Sequence, residues 1–194
     1  MKKDILRLTI KAGIIFTFVT TCFAVTYYRN ADLARELLQE YMTVLESVME
    51  DDGSLSWFAL YKNNLFSCAL TVGMGLMPVI FLPIWVLVSN AIIMGAVFGF
   101  GAAEAGMSLL ESLVFGILPH GIFELPGLFL SIGLGYYLCN FMTKKLFRKA
   151  PDQSLLDVLN AVAKAFVLIV IPLITIASLI ECFVTPEIMA WAGL

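Results

Sequence analysis

The stretch from residue 65 to residue 103, LFSCALTVGMGLMPVIFLPIWVLVSNAIIMGAVFGFGAA, decides the fold. It holds no Asp, Glu, Lys or Arg in 39 positions. A single helix of that length rises about 58 Å, nearly twice a hydrocarbon core of about 30 Å. The run must therefore double back. Pro78 and Pro83 bracket the turn, because each lacks an amide donor and ends or kinks a helix. The spacing predicts a tight helical hairpin over 65–77 and 83–103 in an apolar solvent.

The rest of the chain agrees with that solvent. Of 194 residues, 60% are hydrophobic and 14% charged, and the mean hydropathy is +0.93. Soluble domains run about 45–50% apolar and about 25% charged, so a soluble enzyme is excluded. Twelve basic against fifteen acidic residues give a net charge of −3, too small and too mixed for nucleic-acid binding. Cys22, Cys68, Cys139 and Cys182 lie in or beside apolar stretches without CxxC spacing. They read as small buried hydrophobes.

Outward from the hairpin, the N-terminus carries Lys2, Lys3, Arg7 and Lys11 before an apolar run from Gly13 to Tyr28. Ending in Tyr27-Tyr28, that run suits an uncleaved anchor better than a signal peptide cut near Ala24. Residues 29–62 form the one sizeable polar segment, with three basic and seven acidic residues, 3 − 7 = −4. Leu33, Leu37, Tyr41, Val44 and Val48 recur at helical spacing, predicting an amphipathic helix over 31–51. Its Glu36, Glu40, Glu46 and Glu50 are candidates for docking a partner. Trp57, Phe58 and Tyr61 then read as an interfacial segment returning the chain to the bilayer.

Beyond the hairpin, Met107 to Leu118 is too short for a full span and suits a re-entrant half-helix, whereas 119–142 can cross. The two Pro-interrupted stretches 75–83 and 116–126 resemble each other. Lys144, Lys145, Arg148 and Lys149 precede a last helix with its apolar centre at Ala165 to Ile180. Placing both basic segments in the cytoplasm requires an even number of crossings between them. The expected fold is all-α: a transmembrane bundle of about five spans with Pro-broken and re-entrant helices. It comprises a first span (1–28), an acidic extracytoplasmic segment (29–62) and a membrane core (63–194). The N-terminus is expected in the cytoplasm and the C-terminus outside the cytoplasmic membrane.

Ionisable groups at bilayer depth are costly and mark functional positions. His120 and Glu124 stand four residues apart on one helical face in Pro119-His120-Gly121-Ile122-Phe123-Glu124-Leu125-Pro126. Glu181 closes the last apolar run and either reaches that pair or extends to the interface. An internal lock between helices, a proton or substrate site, or a zinc site on His120, Glu124 and Glu181 all fit these residue types. Asn64 and Asn90 offer neutral donors and acceptors in the hairpin. HGIFE has the spacing of a zinc-hydrolase pair but only one imidazole.

Taken together, Asn63-Asn64, Asn90 followed by Gly95, the PHGIFELP block and Ile180-Glu181-Cys182-Phe183-Val184-Thr185-Pro186 resemble the stage II sporulation protein M family over roughly 60–190. The resemblance implies Asn64, Asn90, His120, Glu124 and Glu181 as the family's polar positions. It also implies a role in recruiting or stabilising a peptidoglycan hydrolase at the membrane. The expected function is thus a non-enzymatic membrane scaffold, in contact with the lipid bilayer, with other envelope proteins and in a homodimer. The alternatives are a small transporter or channel with a His/Glu site, and an intramembrane metal-dependent hydrolase with His120 as ligand and Glu124 or Glu181 as general base.

Overall fold

The computed structural model describes residues 2–46, 56–104, 106–147 and 153–193, and among these it contains helices and no strand. Six helices follow in order: α1 (Lys2–Arg29), α2 (Ala31–Glu46), α3 (Trp57–Met74), α4 (Leu82–Glu104), α5 (Leu109–Leu146) and α6 (Leu155–Trp191). Four of them, α1, α4, α5 and α6, are long and apolar enough to cross a membrane. The hairpin expected over 65–103 is α3 and α4, joined by a turn at 75–81. With 18 residues, α3 has the length of a span but carries Lys62, Asn63 and Asn64 in its first half, and it is not among the four.

The contacts fix the directions of the helices. Gly95 of α4 meets Thr20 and Phe23 of α1, and Gly99 meets Ala24 and Tyr28, so α1 and α4 run parallel. Phe16 packs edge-on against Phe129 at 5.2 Å while Thr9 meets Gly133, so α5 opposes α1. Thr71 meets Gly135, and the Val79 amide donates to Thr143 Oγ1 at 2.9 Å, so α3 runs with α5. Gly127 rests on Leu173 and Ile174 while Tyr137 donates to Gln153 at 3.2 Å, so α6 opposes α5. Successive α1, α3, α4, α5 and α6 therefore alternate in direction. Lys2, Lys3, Lys144 and Lys145 gather at one end, the basic end; α2, Glu104 and Glu111 gather at the other, the acidic end. Arg148 and Lys149 lie outside the described residues.

Close backbone approach dominates the packing. The fully buried Leu134, Leu138, Val170 and Ile174 fill the centre, and Ala91, Phe16 and Leu87 join them. The outer faces are apolar, with Ile14, Phe18, Trp85 and Leu168 directed away from the bundle, as a hydrocarbon solvent permits. Cys68 and Cys139 are buried and Cys182 is half-buried; Cys22 departs from the expectation, being exposed on the outer face of α1.

Two expected breaks take another form. Met107–Leu118 is not a separate re-entrant half-helix, since α5 runs unbroken for 38 residues from Leu109. The proline at 119 is absorbed by a π-helical segment, Ser112–Ile117, immediately before it. The same device, Phe166–Val170, precedes Pro172 in α6. Widening the turn removes the clash between a proline ring and the carbonyl four residues back, so the rod bends without ending. Ser108 and Glu111 start α5 with a capping box: Ser108 Oγ accepts from the Glu111 amide at 3.2 Å and the Glu111 carboxylate from the Ser108 amide at 2.8 Å. The likeness between 75–83 and 116–126 does not extend to structure. The first is a turn with Val79 and Phe81 at positive φ (76° and 50°), the second a continuous helix.

The amphipathic helix is present as α2 but buries a different face. Ala34 and Leu38 pack on Tyr27 and Ala96, while Leu33 and Leu37 point outward. Small Ala34 admits the close approach that Leu33 would block. Arg35 fixes the register, pairing with Glu104 at 3.1 Å and lying over the Phe100 ring at 5.8 Å.

Packing this close predicts a contrast within α4. A side chain at Gly99 would run into the Ala24 carbonyl, whereas one at Gly101 meets open space. Gly99→Leu should cost about 3 kcal/mol or more, seen as a lower thermal midpoint in detergent, and Gly101→Leu should leave that midpoint unchanged.

Candidate functional site

The bilayer depth of the polar residues follows from helix rise. About 20 residues cross a core of about 30 Å. Counting back that far from Lys144 on α5 reaches Glu124, and α6 meets that level where Thr185 stands beside His120. His120, Glu124, Glu181 and Thr185 therefore share one level, the boundary of the hydrocarbon on the acidic side. Pro119 starts the regular part of α5 just before His120, and Pro186 restarts α6 just after Thr185, across a step at Val184.

These side chains converge between α5 and α6. One donor atom from each of His120, Glu124 and Glu181 lies within 4.8 Å of the others. His120 Nε2 stands 3.9 Å from Glu124 Oε2, an ion-pair separation too long for a hydrogen bond. On the other side of the ring, His120 Nδ1 lies 3.3 Å from Thr185 Oγ1. The Thr185 hydroxyl also lies 3.2 Å from the Ile180 carbonyl and can donate to it. When it does, Thr185 Oγ1 accepts from a proton on His120 Nδ1, and the neutral imidazole turns a lone pair on Nε2 toward the carboxylates. Glu181 Oε2 is buried without a hydrogen-bond partner. His120 is 9% exposed, and the side chain of Glu124 21%. Among the described residues, no lysine or arginine comes within ion-pair distance of either glutamate.

Asn90 lies elsewhere. Asn90 donates to the Val86 carbonyl of its own helix at 2.8 Å. Asn64 is half-buried on α3, one turn before Cys68, whose thiol lies beside Ser131 of α5. Trp57 at the start of α3 stacks on Tyr61 at 5.9 Å, and its backbone lies against Cys182, next to Glu181. Glu36 is exposed on α2; the side chains of Glu40 and Glu46 and the whole of Glu50 lie outside the described residues. Thr185 was not singled out from sequence. A hydroxyl residue one position before Pro186, four residues beyond Glu181, was the available signal.

The family profile described as stage II sporulation protein M matches residues 12–186. The chain belongs to the stage II sporulation protein M family. The match reaches well beyond the residues that carry the resemblance and takes in most of α1 and all of α2. An uncharacterized protein of Methanocaldococcus jannaschii is 26% identical over 204 aligned positions, covering 96% of this chain and 88% of that protein. No solved structure matches. A stage II sporulation protein M chain with four membrane-crossing helices is an integral, multi-pass membrane protein.

The orienting bond can be tested by itself. Thr185→Val keeps the shape and removes the hydroxyl partner of His120 Nδ1, so it should cost about 1–3 kcal/mol in thermal stability. Thr185→Ser should restore most of that loss; equal loss in both variants would assign the effect to the methyl group.

Proposed function

We propose that the protein is a non-enzymatic scaffold of the cytoplasmic membrane that recruits or stabilises envelope partners such as peptidoglycan hydrolases. The reading places the basic end in the cytoplasm, in accord with the positive-inside rule, and α2 outside with the C-terminus. One observation carries it. On α2, Ala34 and Leu38 are spent on the bundle, while Leu33 and Leu37 remain exposed beside Asp32 and Glu36. A helix fixed on one face by Arg35 and Glu104 offers a rigid second face of apolar and acidic groups, suited to a partner helix or groove. In this reading His120, Glu124 and Glu181 lock the ends of α5 and α6 beneath the platform.

The experiment captures the full-length protein from its native membranes and quantifies co-purifying envelope hydrolases by mass spectrometry. Leu33→Lys with Leu37→Lys should lower hydrolase recovery roughly tenfold or more while leaving the thermal midpoint unchanged. Equal recovery from both forms, or no hydrolase above a mock capture with the unaltered chain, contradicts the proposal.

A further inference from the structure

We infer that His120, Glu124 and Glu181 bind a divalent cation of the zinc class, which joins α5 to α6 at the acidic edge of the membrane. The donor set suits such an ion. Zinc takes imidazole nitrogen and carboxylate oxygen, commonly three protein donors with water in the fourth position. With its proton on Nδ1, beside Thr185 Oγ1 at 3.3 Å, His120 turns a lone pair on Nε2 toward the carboxylates. Metal-bound histidines are oriented in this way by a second acceptor.

Distance supports the same ion. Zinc bonds of about 2.0–2.2 Å in tetrahedral geometry separate ligand atoms by about 3.4 Å. His120 Nε2 and Glu124 Oε2 are at 3.9 Å, and all three donors lie within 4.8 Å of one another. At 3.9 Å the first pair stands about 0.5 Å wider than in a loaded tetrahedron, a difference that rotation about the glutamate side-chain bonds can supply.

Charge balance fits the same ion. Bound as carboxylates, the two glutamates carry −2 beside a neutral histidine, and no basic side chain among the described residues stands close enough to offset it. A dication cancels that charge in full. The buried, unpartnered Glu181 Oε2 gains a ligand by the same event. The sequence supplies the parts economically: one helix gives His120 and Glu124 four residues apart, the other gives Glu181 and Thr185 four residues apart. This site does not rest on the partner-recruiting role, which stands or falls on hydrolase recovery.

The test uses the full chain carrying a tag without histidine, purified in detergent without chelators and titrated with zinc alone. About one zinc per chain should survive gel filtration, and added zinc should raise the thermal midpoint. His120→Ala and Glu181→Gln should each lower retained zinc at least tenfold and abolish the midpoint shift. Thr185→Val, with all three donors in place, should weaken zinc binding by roughly 10–100-fold. Should Glu181→Gln fail to fold, Glu181→Asp serves instead, with weakened binding expected from its shorter reach. The inference is overturned if the unaltered chain neither retains zinc nor shifts its midpoint with excess zinc. It is also overturned if the variants retain zinc equally, or if the midpoint responds to pH alone, the mark of carboxyl groups sharing a proton.

Discussion

In hydrocarbon no polar atom can be left to water, and that constraint organises this chain from backbone to site. Every long segment is helical because only a helix satisfies its own amides. Prolines at 119 and 172 are preceded by π-helical turns, which keep the rods continuous. Hydroxyl side chains follow the same rule. Thr9, Thr71, Ser131, Thr143, Thr175 and Ser178 each donate to the carbonyl four residues back on their own helix. Other polar contacts run between segments: Thr20 to the Ala91 carbonyl, Val79 to Thr143, Cys139 to the Met77 carbonyl, Tyr137 to Gln153, Arg35 to Glu104, and His120 to Thr185. The last of these is buried and adjoins a cluster of ionisable groups.

The architecture was legible because the membrane signal is long and one-sided. An uncharged run of 39 residues admits one solution, and its two prolines locate the turn. Helix faces were less legible. Leu33 and Leu37 have the spacing of a buried stripe, but a close-packed site selects size as well as polarity, and Ala34 won the contact with Ala96. Proline was misleading for a related reason. Its effect depends on whether the preceding turn can widen, which composition does not record, so a break was expected at 107–118 where the structure has a bend.

The site was partly legible. His120 and Glu124 follow from helix periodicity, and Glu181 from its place at the end of an apolar run. Asn90 satisfied the same rule of rarity but belongs elsewhere, because an amide can reach its own helix at 2.8 Å. A carboxylate or an imidazole has no such outlet and must find partners across the bundle. Thr185 escaped notice because threonine is common in membrane helices; its meaning lies in its place 3.3 Å from His120 Nδ1. Membership of the stage II sporulation protein M family accords with the helical membrane plan.

The central claim is that His120, Glu124 and Glu181 act as one unit across α5 and α6. A double-mutant cycle with Glu124→Gln and Glu181→Gln, read as thermal stability of the purified protein in the presence of zinc, tests it most directly. The account predicts an interaction energy well beyond the roughly 0.5 kcal/mol within which independent sites add. Additive losses within that margin would contradict it.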